Sequence, residues 1–275
     1  MNDQARRIDT GTDELLCELR ERVAVITLNR PEARNALSDR LSPALRTMIR
    51  RCADDDEVGA VLLTGAGTSF CAGGDVKGMG DRSSKKQMSP PERIADLRER
   101  QRLLTGALVA MRKPTIAALP GPAVGAGLSI ALACDVRVAA ESAFLATGYV
   151  RIGLSGDYGI ASLLTRLVGT GRARELMFTG DRVDAHRAET IGLVNRVVPD
   201  AELQAEGFAF ARRLANGPAQ ALRLMKDNLD DALVVEFDVA LEREAERLVE
   251  SAGTADHAEA VRAFVEKRAP VFGGR

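Results

Sequence analysis

Two glycine-rich segments hold the residue types best suited to chemistry. The first, Phe70-Cys71-Ala72-Gly73-Gly74-Asp75, has paired glycines that let a backbone come close to another group. The second, Gly121-Pro122-Ala123-Val124-Gly125-Ala126-Gly127, opens an apolar stretch that runs through Ser129 towards Asp135. The first N–H groups of a helix have no internal acceptor and stand at the positive end of its dipole. One N–H from each segment, converging on one carbonyl oxygen, would form an oxyanion hole. Taken singly, each segment also fits a plain turn or close helix–strand packing.

A carboxylate that could move protons lies further along, in Leu154-Ser155-Gly156-Asp157-Tyr158-Gly159. Asp157 stands at the expected start of a helix through Val168, so it fits a catalytic base and a helix cap alike. The two tyrosines of the chain, Tyr149 and Tyr158, fall in the same block. Either could hydrogen-bond a substrate or assist as an acid, and either could be a packed ring with a satisfied hydroxyl. Glu141 is nearby but expected to be exposed. With only His186 and His257, and with Cys17, Cys52, Cys71 and Cys134 scattered, no metal site and no Ser–His–Asp triad is expected.

These residues must be positioned by an alternation of strands and helices. Leu15 to Asn29 alternates apolar and polar residues around a charged break, as a hairpin does. Ser38 caps an expected helix through about Ala53. Val58 begins a continuous apolar run ending in glycine, the pattern of a buried parallel strand. The polar stretch from Gly78 to Glu92 reads as a loop, and its lysines are more simply solvated than bound to a phosphorylated ligand. A helix is expected from Glu92 to Arg112, a strand over Thr115–Leu119, then turn, helix and the strand Cys134–Ala140. Such alternation predicts an α/β core covered on both faces. Beyond Pro199 the period is helical, with breaks near Gly217-Pro218 and Gly253. The expected division is a flexible tail over 1–13, a core over 14–198 and a helical region over 199–275.

Composition limits the function classes. The 275 residues are 45% apolar and 28% charged, as in a globular protein with a substantial core. Lys plus Arg number 38 against 39 Asp plus Glu, so no global field attracts nucleic acid. No apolar run approaches the roughly 20 residues that span a bilayer, and the first residues lack a signal-peptide pattern. A cytoplasmic protein with reduced thiols, bound to neither nucleic acid nor membrane, is expected.

In this order the blocks resemble the enoyl-CoA hydratase/isomerase family, the crotonases. The resemblance runs from LNRPEARNALS (Leu28 to Ser38) through FCAGGDVKGM and ALPGPAVGAGLSIALACDVRVA. It continues through IGLSGDYGIASLLTRLVG and TGDRVDAHRAETIGLVNRVVP to FVEKRAPVF, which ends at Phe272. It implies a crotonase-like α/β fold, a spiral of ββα units with a helical C-terminal region that builds a homotrimer or a dimer of trimers. It further implies an acyl-CoA thioester substrate, with coenzyme A as part of that substrate and no separate cofactor. By motif, the oxyanion donors would be the N–H groups of Gly74 and Ala126. The coenzyme A contacts would be Arg34, Ala36, Ala72 and Asp75, with Phe264 and Lys267 often given by a neighbouring subunit.

Hydratases of this family use two glutamates flanking a water. By the same motifs those positions fall on Ser129 and Tyr149, and neither is a carboxylate. A serine hydroxyl is no base near neutral pH without an activator, and a tyrosine is mostly protonated there. Asp157 is the acid that remains in the right block, where some isomerases and dehalogenases of the family place an aspartate. The catalytic candidates are therefore Asp157, Ser129 and Tyr149. Double-bond isomerisation is the expected reaction, with hydration by a different residue set, or acyl-CoA binding without catalysis, as alternatives.

Overall fold

A computed structural model describes residues 5–75 and 88–274. Strands β2 (Leu15–Arg20) and β3 (Val23–Leu28) form the expected hairpin. Its two turn residues, Glu21 and Arg22, both take positive φ, which matches the right-handed twist of the paired strands. From β3 the sheet continues in parallel through β4 (Ala60–Gly65), β5 (Thr115–Leu119), β7 (Val136–Ala140) and β10 (Arg196–Val198). Every residue of β4 and β5 is buried, as their unbroken apolar runs require. A second, three-stranded sheet joins β6 (Ala123–Val124), β8 (Phe144–Ala146) and β9 (Val183–Asp184).

Within the segment expected as a tail, 1–13, lies β1 (Arg6–Ile8), which pairs antiparallel with β2 and sets Ile8 opposite Cys17. The free edge of β2 offers unpaired backbone groups, and Ile8 gains a buried place in the core.

The larger core fills one face of the main sheet. Helices α1 (Leu41–Asp54), α4 (Ala126–Ala133) and α5 (Ile160–Thr179) contribute to it. Between them, α2 (Pro90–Gln101) passes through a π-helical turn (Arg102–Gly106) into the short α3 (Ala107–Ala110). Residues 78–87 of the expected loop lie outside the described residues. From Ser89 the chain is already at the start of α2, where the Ser89 N–H donates to the Glu92 carboxylate at 2.8 Å. After α5 comes the small α6 (Ala185–Thr190).

The other sheet face is covered by α7 (Leu203–Ala215). Its Leu203, Ala211 and Ala215 pack on Val23, Ala60, Leu62, Ile116 and Ala118. Helix α7, which follows the boundary expected at 198/199, thus covers strand residues that would otherwise face water. The helices after it are α8 (Ala219–Asp231), α9 (Phe237–Ala252) and α10 (Ala255–Glu266). Arg112 ties α8 to the core through Asp227 and Asp230, at 2.7 and 2.9 Å, and Lys226 does so through Asp135 at 2.8 Å. No helix among the described residues is long and apolar enough to cross a membrane.

Candidate active site

The opening motif forms the first wall of the site. After β3, Arg34 and Asn35 take consecutive left-handed conformations. Asn35 is fully buried, accepts from Arg30 N at 2.8 Å, and donates to Ala66 O and Ser69 O at 3.0 and 2.8 Å. One side chain thus clamps the loop that follows β4. No sequence-based expectation singled it out, although an Asn within so tight a turn was the available signal. The Ala72 N–H donates to Arg34 O at 3.0 Å, and the Leu37 N–H donates to Gly73 O at 2.8 Å. Arg30 donates to Ala36 O at 2.6 Å and lies 3.5 Å from both Glu14 and Asp75. Arg34, Ala36, Ala72 and Asp75 are accordingly gathered on one side of the site.

The two glycine-rich segments are locked together by backbone. Val124 N–H donates to Cys71 O at 2.9 Å, and Cys71 N–H donates to Pro122 O at 3.1 Å. A Cβ added to Gly127 would stand 2.3 Å from Cys71 O, so only glycine permits this approach. One added to Gly73, where φ is +89°, would meet Val124 O at 2.7 Å and Ala126 N at 3.4 Å. Ala126 is the first residue of α4, so its N–H has no partner within the helix. Neither this N–H nor that of Gly74 donates to an acceptor among the described residues. Both residues line a cavity of about 380 Å³, together with Asp157.

Behind Asp157 lie the two hydroxyl residues. The Tyr149 hydroxyl donates to Asp157 Oδ1 at 2.6 Å, and Ser129 Oγ stands 3.3 Å from the same hydroxyl. Ser129 is fully sealed and Tyr149 nearly so, and neither lines the cavity. Burial raises the Asp157 carboxyl above its ordinary range, and the Tyr149 hydrogen bond opposes that shift. Burial, then the Asp157 charge, pushes the Tyr149 phenol up, so it stays a donor. The Asp157 side chain does not cap α5. That helix starts at Ile160 after a left-handed Gly159, and the Ile160 N–H reaches the Asp157 backbone carbonyl. The carboxylate is left to Tyr149 and the cavity.

Five polar cavity residues had no place in the sequence-based site: Ser38 and Asp39, Ser42 of α1, and Asp96 and Arg100 of α2; Tyr158, weighed there as a substrate hydrogen-bonder or acid, lines the cavity as well. The residues on α2 follow a helical period that a solvated face would share, so pattern alone could not find them. Glu141 is exposed in the turn after β7, as expected. Phe264 and Lys267 end α10 outside the cavity lining; Phe264 is 86% exposed and Lys267 is left-handed. All four cysteines are buried free thiols. Among the described residues, no group of three or more His, Cys, Asp or Glu is placed to hold a metal ion.

The family model of enoyl-CoA hydratase/isomerase matches residues 18–275. The chain belongs to the enoyl-CoA hydratase/isomerase family. It is 36% identical over 261 residues to the probable enoyl-CoA hydratase echA8 of Mycobacterium tuberculosis, covering 94% of this chain and 98% of that one. It is also 36% identical over 259 residues to the short-chain-enoyl-CoA hydratase of Clostridium acetobutylicum, covering 93% and 96%. A solved structure from Streptomyces coelicolor A3(2) superposes with a TM-score of 0.89 at 36% identity, over 100% of both chains. The enoyl-CoA hydratase of Mycobacterium smegmatis gives 0.85 at 32% identity, over 95% of this chain and 99% of that one. The mixed sheet-and-helix architecture is thus the crotonase fold, and the family acts on CoA thioesters.

Proposed function

We propose that this family member moves the double bond of an enoyl-CoA between the 3,4 and 2,3 positions, with Asp157 as the single base. The observation that carries this reading is that the Asp157 carboxylate shares one cavity with the free N–H groups of Gly74 and Ala126. Asp157 Oδ1 is fixed by Tyr149, and the carboxylate removes a proton from C2 of the 3-enoyl thioester. The negative charge passes to the thioester oxygen, where the two N–H groups stabilise the dienolate more than the ground state. The neutral carboxyl then returns the proton to C4, and the base is regenerated.

Ser129 and Tyr149 take the positions of the two hydratase glutamates. In this reading they position Asp157 and do not touch substrate. Coenzyme A would lie along Arg34, Ala36, Ala72 and Asp75, with Phe264 and Lys267 supplied by a neighbouring subunit. The exposed apolar residues of α9 and α10, among them Phe237, Leu248, Val249 and Val265, support assembly as a trimer or paired trimers. No cofactor beyond the substrate's own coenzyme A is needed.

Hydration is the second reading, favoured by the names of the relatives. Incubating the protein with 3-enoyl- and 2-enoyl-CoA esters in D₂O separates the two. Double-bond migration with deuterium uptake supports isomerisation; water addition that survives Asp157→Asn overturns it.

A further inference from the structure

Most polar groups around the cavity are already occupied. Ser38 Oγ accepts from Leu41 N–H at 2.9 Å and donates to Glu14. Arg100 is held by Asp96 at 2.9 Å, and Asp157 by Tyr149. Two lining groups are different. The hydroxyls of Ser42 and Tyr158 have no hydrogen-bond partner among the described residues. Neither hydroxyl oxygen is sealed from solvent. Both hydroxyls therefore reach open space.

Tyr158 is held there against backbone preference. Its φ is +51°, a region that a bulky side chain seldom enters, between Gly156 at +112° and Gly159 at +77°. The residue is only 8% exposed, so this conformation buries the ring beside the adjacent proton-transfer residue. Both hydroxyls keep a donor turned to the cavity, and a ligand that carries acceptors there would take the place of water on them.

We infer that the acyl group of the substrate carries a neutral oxygen function, a hydroxyl or carbonyl beyond the thioester, and that Tyr158 and Ser42 hydrogen-bond it. A neutral group is chosen over a carboxylate on grounds of charge. Among the described residues of the lining, the one guanidinium, Arg100, is neutralised by Asp96, and Asp157 must itself be anionic to act as a base. Arg46 lines the groove between α1 and α3 rather than this cavity. The inference rests on the acyl-CoA reading and adds the class of acyl chain.

Calorimetric titration with saturated, unreactive CoA esters tests it. Butanoyl and hexanoyl chains would each be compared unsubstituted, with a terminal hydroxyl and with a terminal carboxylate. The hydroxylated ester is expected to bind about tenfold more tightly than the plain one at one of the two lengths, and more tightly than the carboxylate. Tyr158→Phe, nearly isosteric, should erase that difference. Equal binding of plain and hydroxylated esters at both lengths overturns the inference. So does tightest binding of the carboxylate, or an equal loss on both esters in the Phe variant. Failure of every ester to bind overturns the acyl-CoA reading itself, and the inference with it.

Discussion

Tyr149 and Asp157, eight residues apart, meet through a 2.6 Å hydrogen bond from the phenol to Oδ1. The bond is short because the acceptor is a partly buried carboxylate. It favours the ionised form of Asp157, against the burial that disfavours it. Tyr149→Phe should therefore raise the carboxyl further. The acid limb of the proton-exchange rate would move to higher pH, and the rate at neutral pH would fall by about tenfold. The pH profile of deuterium exchange into an enoyl-CoA checks this; an unmoved limb with a lower rate would leave Tyr149 only a packing role.

Asp157→Asn should reduce exchange by at least about a hundredfold, the low end of what a general base contributes. Stability should not fall with it. The folded-state pKa of Asp157 is raised, so the wild-type fold gains stability as pH drops through that value towards the ordinary 3.8. The amide variant lacks this gain and carries no buried charge at neutral pH. Thermal melts at neutral and mildly acidic pH, beside the exchange assay, test both halves.

Ala126→Pro removes one of the two proposed donors. Proline is tolerated in the first position of a helix, where its missing N–H has no intrahelical role. The fold should persist while exchange drops on the scale of a lost oxyanion donor, about 3 kcal/mol. Retained exchange in the folded variant would show that the oxygen is held elsewhere.

Gly127→Ala tests how the hole is held together. The new methyl would collide with Cys71 O and Cys71 Cβ, at 2.3 and 2.7 Å, so the two segments must part. A loss of about 1–3 kcal/mol in chemical denaturation is expected, with weakened exchange. Gly171→Ala is the control, because nothing lies within 4 Å of its added Cβ.

The two glycine segments were legible in the sequence because close backbone approach permits only one residue type. Asp157 stood out because so few residues in its block could carry a proton. The strands β4 and β5 were legible as unbroken apolar runs. Other features depended on partners distant in the chain. Asn35 reads as an ordinary turn residue until Ala66 and Ser69 close around it. The helix α7 shares its period with the helices that follow, and only the sheet face beneath it shows what it covers. Ser129 and Tyr149 gave no sign of pointing at each other, since hydrogen-bond direction is set by tertiary packing.

The backbone bonds joining Cys71, Pro122 and Val124 would make the proposed anion-holding half of the site independent of any side chain that moves protons. On the proposed reading, serine and tyrosine can therefore take the places of the hydratase acids without loosening the hole. A scaffold of this kind separates holding charge from moving protons, so the second task can be reassigned while the first stays fixed.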